Sequence, residues 1–215
     1  GVLTGALPIC TRGRPPPPVA HLALVGGTAC VARHLDGTAI DAGGLVPDVV
    51  DTNTWVQTIE QISPVELLET QLCNYTAPFI LISKLRTVMA EAARKAPSKR
   101  SYVVNVSAME GVFSRGYKGA GHPNTNAAKA AMNMVTRTSA QEMFDTDRIL
   151  MTSVDTGWIT DERPHFDKLR LAEEGFHAPL DLVDGAARVY DPIVRGEAGE
   201  DLYGVFLKDY APGKW

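Results

Sequence analysis

Tyr102-Val103-Val104-Asn105-Val106-Ser107 is a short run rich in β-branched side chains, preceded by the basic loop Lys95–Arg100. Apolar and polar residues do not alternate in it, which is the pattern of a strand covered on both faces of its sheet. A second run of the same kind is Ile149-Leu150-Met151-Thr152-Ser153-Val154. Between the two, Asn124 to about Met143 is Ala- and Met-rich with helical spacing, which predicts a helix of about 20 residues. Strand, helix, strand in that order predicts parallel neighbours joined by a right-handed crossover.

The same reading extends outward. Ser63-Pro64-Val65-Glu66 is a capping box with proline at the first helical position, and Leu67, Leu68 and Leu72 continue the apolar pattern. Pro78 should bend or interrupt this helix, which resumes to about Ala93. Beyond the second strand come a loop holding Gly157, a helical segment at Lys168–Glu174, a helix at Asp181–Val194, and a final strand Tyr203-Gly204-Val205-Phe206-Leu207. The fold class is α/β, a doubly wound parallel sheet. No internal repeat is visible.

Composition narrows the function. The 215 residues carry 21 Lys and Arg against 25 Asp and Glu, a net charge of −4. That balance gives no electrostatic footprint for a phosphate backbone, so nucleic acid is not an expected partner. No apolar run reaches the roughly 18 residues of a membrane helix. Cys10, Cys30 and Cys73 are too scattered for a disulfide framework or a metal site, and a cytoplasmic location is the expectation. Residues 1–50 hold 8 Gly and 6 Pro but no Lys and no Glu, so they read as an atypical segment, a loop or a stretch foreign to the fold. Residues 51–215 read as the ordinary globular part.

Four stretches carry the chemistry. They are Cys73-Asn74-Tyr75-Thr76-Ala77-Pro78-Phe79, Asn105-Val106-Ser107-Ala108, Asn126-Ala127-Ala128-Lys129-Ala130-Ala131, and Ser153-Val154-Asp155-Thr156-Gly157-Trp158-Ile159-Thr160. In combination they resemble the C-terminal half of the short-chain dehydrogenase/reductases over residues 50–210. That family has an Asn on a kinked helix, a Ser ending a strand, Tyr-x-x-x-Lys on the next helix, and a Pro-Gly loop after the following strand. The resemblance implies a Rossmann-like domain, NAD or NADP as cofactor, a small carbonyl or alcohol substrate, and a homodimer or homotetramer. It assigns Ser107 to the substrate oxygen, Lys129 to the nicotinamide ribose and Asn74 to a proton-relay water. Thr156, Gly157, Ile159 and Thr160 become cofactor-binding positions, and no metal is called for. The assembly helices would be Pro64–Ala93 and Asn124–Met143, with Leu67, Leu81, Leu85, Met132 and Val135 on them.

The chemistry of such a site is hydride transfer coupled to proton transfer. A Tyr phenol, with a pKa of about 10, is an acid that a nearby Lys ammonium can tune, and a spacing of four puts both on one helix face. Here the position four before Lys129 is Thr125, an aliphatic hydroxyl that is a far weaker acid and shorter. His122-Pro123-Asn124-Thr125-Asn126-Ala127-Ala128-Lys129 resembles a divergent branch of the family with Thr at this place. Tyr117, on the preceding loop, is the substitute acid the sequence offers.

The cofactor end departs too. Val2-Leu3-Thr4-Gly5-Ala6 imitates the opening of a phosphate-binding Gly-rich loop, but Leu7-Pro8-Ile9-Cys10 follows and the later glycines are missing. Arg14-Pro15-Pro16 and His21-Leu22 resemble the loop after the family's fourth strand, so the first strands are expected to be lacking and cofactor binding by this chain weak. The leading reading is an NAD(P)-dependent oxidoreductase. The alternatives are a non-catalytic relative using the same surface for binding or assembly, and an inactive fragment. Read blandly, Ser107 is a polar strand end, Lys129 a solvated helix lysine, and Asn74 a brace at the Pro78 kink. Asp155, Asp161 and Glu162 are loop acids.

Overall fold

The computed structural model describes residues 51–215. The readings made for residues 1–50 lie outside the described residues. The chain divides into two compact units: Thr54–Ile159 with Ala178–Trp215, and a second whose described part is 51–53 and 160–177.

In the larger unit α1 (Pro64–Gln71) starts at the expected N-cap, Ser63 Oγ accepting the Glu66 N–H at 3.1 Å. The Glu66 side chain turns to Thr54 and Thr70 and leaves the reciprocal half of the capping box unmade. A five-residue π turn (Leu72–Thr76) joins it to α2 (Ala77–Lys95). Strand β1 (Ser101–Ser107) follows, then a short 3₁₀ turn at Met109–Gly111, then α3 (Pro123–Asp147). Strand β2 (Ile149–Asp155) runs parallel to β1, paired residue for residue from Ser101↔Ile149 to Ser107↔Asp155. The helix predicted over 124–143 is therefore one turn longer at its carboxyl end. It stops at Arg148, which takes the left-handed conformation at φ 59° and lays its guanidinium 4.0 Å from the Phe144 ring centre.

The last strand needs correcting. The expected span 203–207 becomes β3 (Phe206–Lys208), parallel to β2, because Gly204 turns the chain at φ 67° just before it. Gly204 N–H still reaches Met151 O at 2.8 Å, and Val205 O accepts from Ser153 N–H at 3.0 Å. A strand absent from the sequence reading, β4 (Ala211–Gly213), folds back antiparallel on β3. Asp209 and Tyr210 make that hairpin with φ of 47° and 67°, the two positive values of a type I′ turn. The order in the sheet is β1-β2-β3-β4.

The core lies on both faces of β1 and β2, as a doubly wound sheet requires. Met151 joins Ile149, Ala140 and Met143, with Val103, Ile82 and Met89 against them. Val154 joins Leu202 and Leu207 with Val104, on the opposite side of the pleat. The last long helix, α5 (Leu182–Glu197 in chain order), packs on both strands and begins with a complete capping box, Asp181 with Asp184. Met132, expected on an assembly face, is instead 3% exposed and part of the core, whereas Leu81, Leu85, Val88 and Met134 are exposed.

The second unit holds α4 (His165–Glu173), which replaces the expected span 168–174. Within it Asn53 Nδ2 donates to Glu162 O at 2.8 Å, and Arg163 pairs with Asp161 at 2.9 Å. Among the described residues no helix is long and apolar enough to cross a membrane, and no three His, Cys, Asp or Glu side chains cluster as metal ligands would.

Candidate functional site

The proline at 78 decides the first element of the site. It has no N–H, and its ring crowds the carbonyl four residues back, which is that of Asn74. The helix accommodates this by widening: Ala77 N–H bonds to Leu72 O, five residues back, which defines the π turn. Asn74 sits in the middle of that turn, and its Nδ2 donates to Thr70 O at 3.1 Å. The predicted kink and the predicted brace are thus one feature.

Thr70, buried at the end of α1, links this turn to α3. Its Oγ1 accepts from Asn124 Nδ2 at 3.0 Å. Asn124 lies in the first turn of α3 beside Thr125, which is half-buried. The helix begins at His122, held at φ 44°, and that residue is anchored by the segment before α1. His122 N–H donates to Gln57 O at 3.1 Å, and His122 Nδ1 bonds Trp55 O at 2.8 Å. The His122 ring stacks on Trp55 with centres 4.1 Å apart.

One turn further on, Lys129 Nζ donates to Val106 O at 3.0 Å, at the carboxyl end of β1. Burial holds its pKa below the ordinary lysine value, with the Glu110 carboxylate pulling the other way. An ammonium has three donors, and this contact uses one. Ser107, the next residue of β1, is 3% exposed, and its Oγ donates to Asn133 Oδ1 at 2.5 Å. Asn133 Nδ2 in turn donates to Gly111 O at 3.2 Å. Gly111 has to be glycine: a Cβ there would stand 2.5 Å from the Lys129 carbonyl carbon and 2.7 Å from Ala130 N. The 3₁₀ turn therefore lies directly on the backbone of α3 where Lys129 emerges.

Asn133 was not singled out from sequence, although it lies four residues after Lys129 and shares its face. Behind it a second polar group crosses the core. Thr136 Oγ1, wholly buried, accepts from Asn105 Nδ2 at 2.9 Å and Ser153 Oγ at 2.8 Å. Strands β1 and β2 are thereby both tied to α3 by side chains.

The loop after β2 is shaped by Asp155, whose Oδ1 accepts from Gly157 N–H at 2.7 Å and whose Oδ2 pairs with Lys208 at 3.3 Å. Gly157 has φ 78° and lies against Leu180. The Thr156 hydroxyl turns to Gly157 O at 3.4 Å. Ile159 packs its side chain on Gly185 of α5. Thr160 belongs to the second unit, where its hydroxyl donates to Glu162 Oε1 at 2.7 Å. Tyr117 is 77% exposed, with its ring over Gly119.

Hydrogen bonds thus join Asn74 through Thr70 to Asn124, the neighbour of Thr125 in the first turn of α3. Lys129, on the next turn of that helix, meets the end of β1 beside Ser107. That end lies at the carboxyl edge of parallel strands, where open α/β sheets bind their ligands.

No family model matches the sequence, and no curated protein does either. Solved structures do. The carbonyl reductase Sniffer of Drosophila melanogaster is 20% identical with a TM-score of 0.58, over 86% of this chain and 72% of that one. A Burkholderia multivorans protein assigned to the short-chain dehydrogenases/reductases, with NADP bound, is 17% identical at 0.53, over 79% and 64%. The NADPH-bound carbonyl reductase from chicken fatty liver is 17% identical at 0.53, over 86% and 69%. This chain accordingly shares the Rossmann-like fold of these proteins and spans about two thirds to three quarters of their length.

Proposed function

We propose that this chain is an NAD(P)-dependent oxidoreductase of the short-chain dehydrogenase/reductase type, acting on a small carbonyl or alcohol. The observation that carries the reading is Lys129, an ammonium held against Val106 O beside Ser107 at the carboxyl end of β1. A lysine that were only a solvated helix residue would not accept burial that depresses its pKa. Two of the named neighbours, one with NADP and one with NADPH bound, support the cofactor class.

The residues present fit the nicotinamide end of such a cofactor. Lys129 has two free donors for ribose oxygens, and the loop Thr156–Ile159, turned by Gly157, follows β2, whose end pairs with that of β1. The resemblance assigns Thr160 to the cofactor as well. When bound, the cofactor supplies or accepts the hydride. Ser107 orients the substrate oxygen, and to donate to it must release Asn133. Asn74 holds a relay water at the π turn. Thr125, lacking a phenol, passes a proton from water, with Tyr117 as the alternative acid if its loop turns inward. In solution the protein is a homodimer or homotetramer, joined through α1, α2 and α3, on which Leu81, Leu85 and Met134 are exposed.

The test is hydride transfer by the full chain across a carbonyl panel with NADPH and NADH, followed by loss of reduced-nicotinamide absorbance. Turnover that Lys129→Ala abolishes is the expected result. Thr125→Tyr should raise that turnover at neutral pH, since a placed general acid contributes about 10²–10⁴-fold. Destabilisation by Thr125→Tyr without any turnover in either chain would instead favour a binding or assembly role. The observation favouring that second reading is the Ser107 hydroxyl, already committed to Asn133.

A further inference from the structure

Asn126 has no role in the account so far. It follows Thr125 in the first turns of α3, and its carboxamide oxygen is buried without a hydrogen-bond partner. Folded proteins seldom leave such an acceptor unfilled, so it marks a place where something else is received. Helical spacing puts Asn126, Lys129 and Asn133 on one face, at i, i+3 and i+7. Two of the three are already fixed on the end of β1: Lys129 Nζ on Val106 O, and Asn133 Oδ1 on the Ser107 hydroxyl.

The two unfilled valences there are of opposite kind. The ammonium of Lys129 only donates, and the Oδ1 of Asn126 only accepts. A carboxylate or phosphate would satisfy the first and leave the second unmade. A hydroxyl satisfies both, and two adjacent hydroxyls satisfy both with separate atoms.

We propose that Asn126 contacts the ligand, its Oδ1 accepting a hydrogen bond from one hydroxyl of a sugar diol whose neighbouring oxygen accepts from Lys129. The identity of the sugar, the ribose next to the nicotinamide, rests on the oxidoreductase reading. The diol itself rests on the donor and acceptor arrangement of α3.

Nicotinamide riboside is the probe, because it carries the diol and needs no pyrophosphate contact. Binding to the full chain is measured by saturation-transfer NMR, with a thermal melt alongside. Asn126→Leu removes the acceptor and the buried polar group together. It should weaken riboside binding about tenfold, the effect of one good hydrogen bond, while raising Tm. Asn126→Asp keeps an acceptor and should keep the affinity. The 2′,3′-dideoxy riboside should bind the wild-type chain as weakly as the intact riboside binds Asn126→Leu. Equal binding of the riboside and its dideoxy form to wild type overturns the proposal, even if the leucine variant fails to fold. Free ribose that binds and is weakened by Asn126→Leu, where the riboside does not bind, keeps the diol site and overturns the oxidoreductase reading. Wild type binding none of the three overturns both.

Discussion

β1 and β2 are neighbours of equal length, paired residue for residue, yet they are held in different ways. All seven residues of β2 are buried, whereas in β1 only Asn105 and Ser107 are. Those two are polar, and each is tied by its side chain to α3, through Thr136 and Asn133. Burial covers β2 along its whole length, with Ser153 as its tie to α3. In β1 burial is confined to the second half, and both of its buried residues are held by directed hydrogen bonds. A strand held by apolar contact tolerates small shifts, because the hydrophobic effect has no direction. A strand end held by hydrogen bonds has its atoms set in place, which is what a reacting centre needs.

The sharpest way to break this contrast is Thr136→Val. It leaves Asn105 Nδ2 and Ser153 Oγ without their acceptor inside the core, at about 1–3 kcal/mol for each unsatisfied group. Denaturant unfolding should show at least the cost of one. Replacing all three polar partners by apolar residues of similar size should recover most of the loss, because no orphan then remains.

Gly111→Ala is expected to come next. Its Cβ would strike the backbone of Lys129 and Ala130, which cannot rotate away as a side chain would. Overpacking of this kind costs about 1–3 kcal/mol. Hydrogen exchange should locate the loosening in the 3₁₀ turn and the middle of α3, with β2 unaffected. Loosening that spread evenly over both strands would contradict the distinction drawn here.

Lys129→Met acts in the opposite sense. The folded state holds the lysine pKa below its unfolded value, so the fold disfavours the charged form. That penalty is complete below the folded pKa and vanishes as pH climbs through the unfolded value, near 10.4. The methionine variant should therefore melt higher than wild type at pH 7, with the gain shrinking toward alkaline pH, and should lose turnover. A gain that did not change with pH would mean that packing, not charge, is responsible. Smallest of all, Tyr117→Phe should alter stability by no more than about 0.5 kcal/mol, since the ring is largely exposed. Whether it alters turnover tells if that loop supplies the proton.

Much of this arrangement was legible beforehand, and the gaps have physical causes. Buried runs and a capping box are local signals, so β1, β2, α1 and the proline-induced break stood out. β4 did not, because Asp209-Tyr210 lacks the Asn-Gly or Asp-Gly pair that usually announces a type I′ turn. The end of α3 came a turn late because a non-glycine residue, Arg148, takes the left-handed position. Of the candidate site, Ser107 and Lys129 are singled out by the family resemblance, because they stand on regular elements at its fixed spacing. Asn133 and Asn126 could not: an asparagine in a helix looks the same whether it meets water, a serine or nothing. Met132 failed as a surface residue because methionine at helical spacing does not reveal which face the sheet will cover.

The π turn at Leu72–Thr76 can also be viewed as an insertion that the helix has kept. Each α-helical residue advances about 100° around the axis. One surplus residue per turn therefore sets the apolar stripe of α2 out of phase with that of α1. Deleting a single residue between Leu72 and Thr76 would let Ala77 bond four residues back in a plain α-helix, and the two stripes would come into line. The chain would gain a more regular helix and lose the wide turn that presents Asn74. A lineage free to drop that residue would be one in which this turn has no work to do, so length variation at this one place records whether the site is in use.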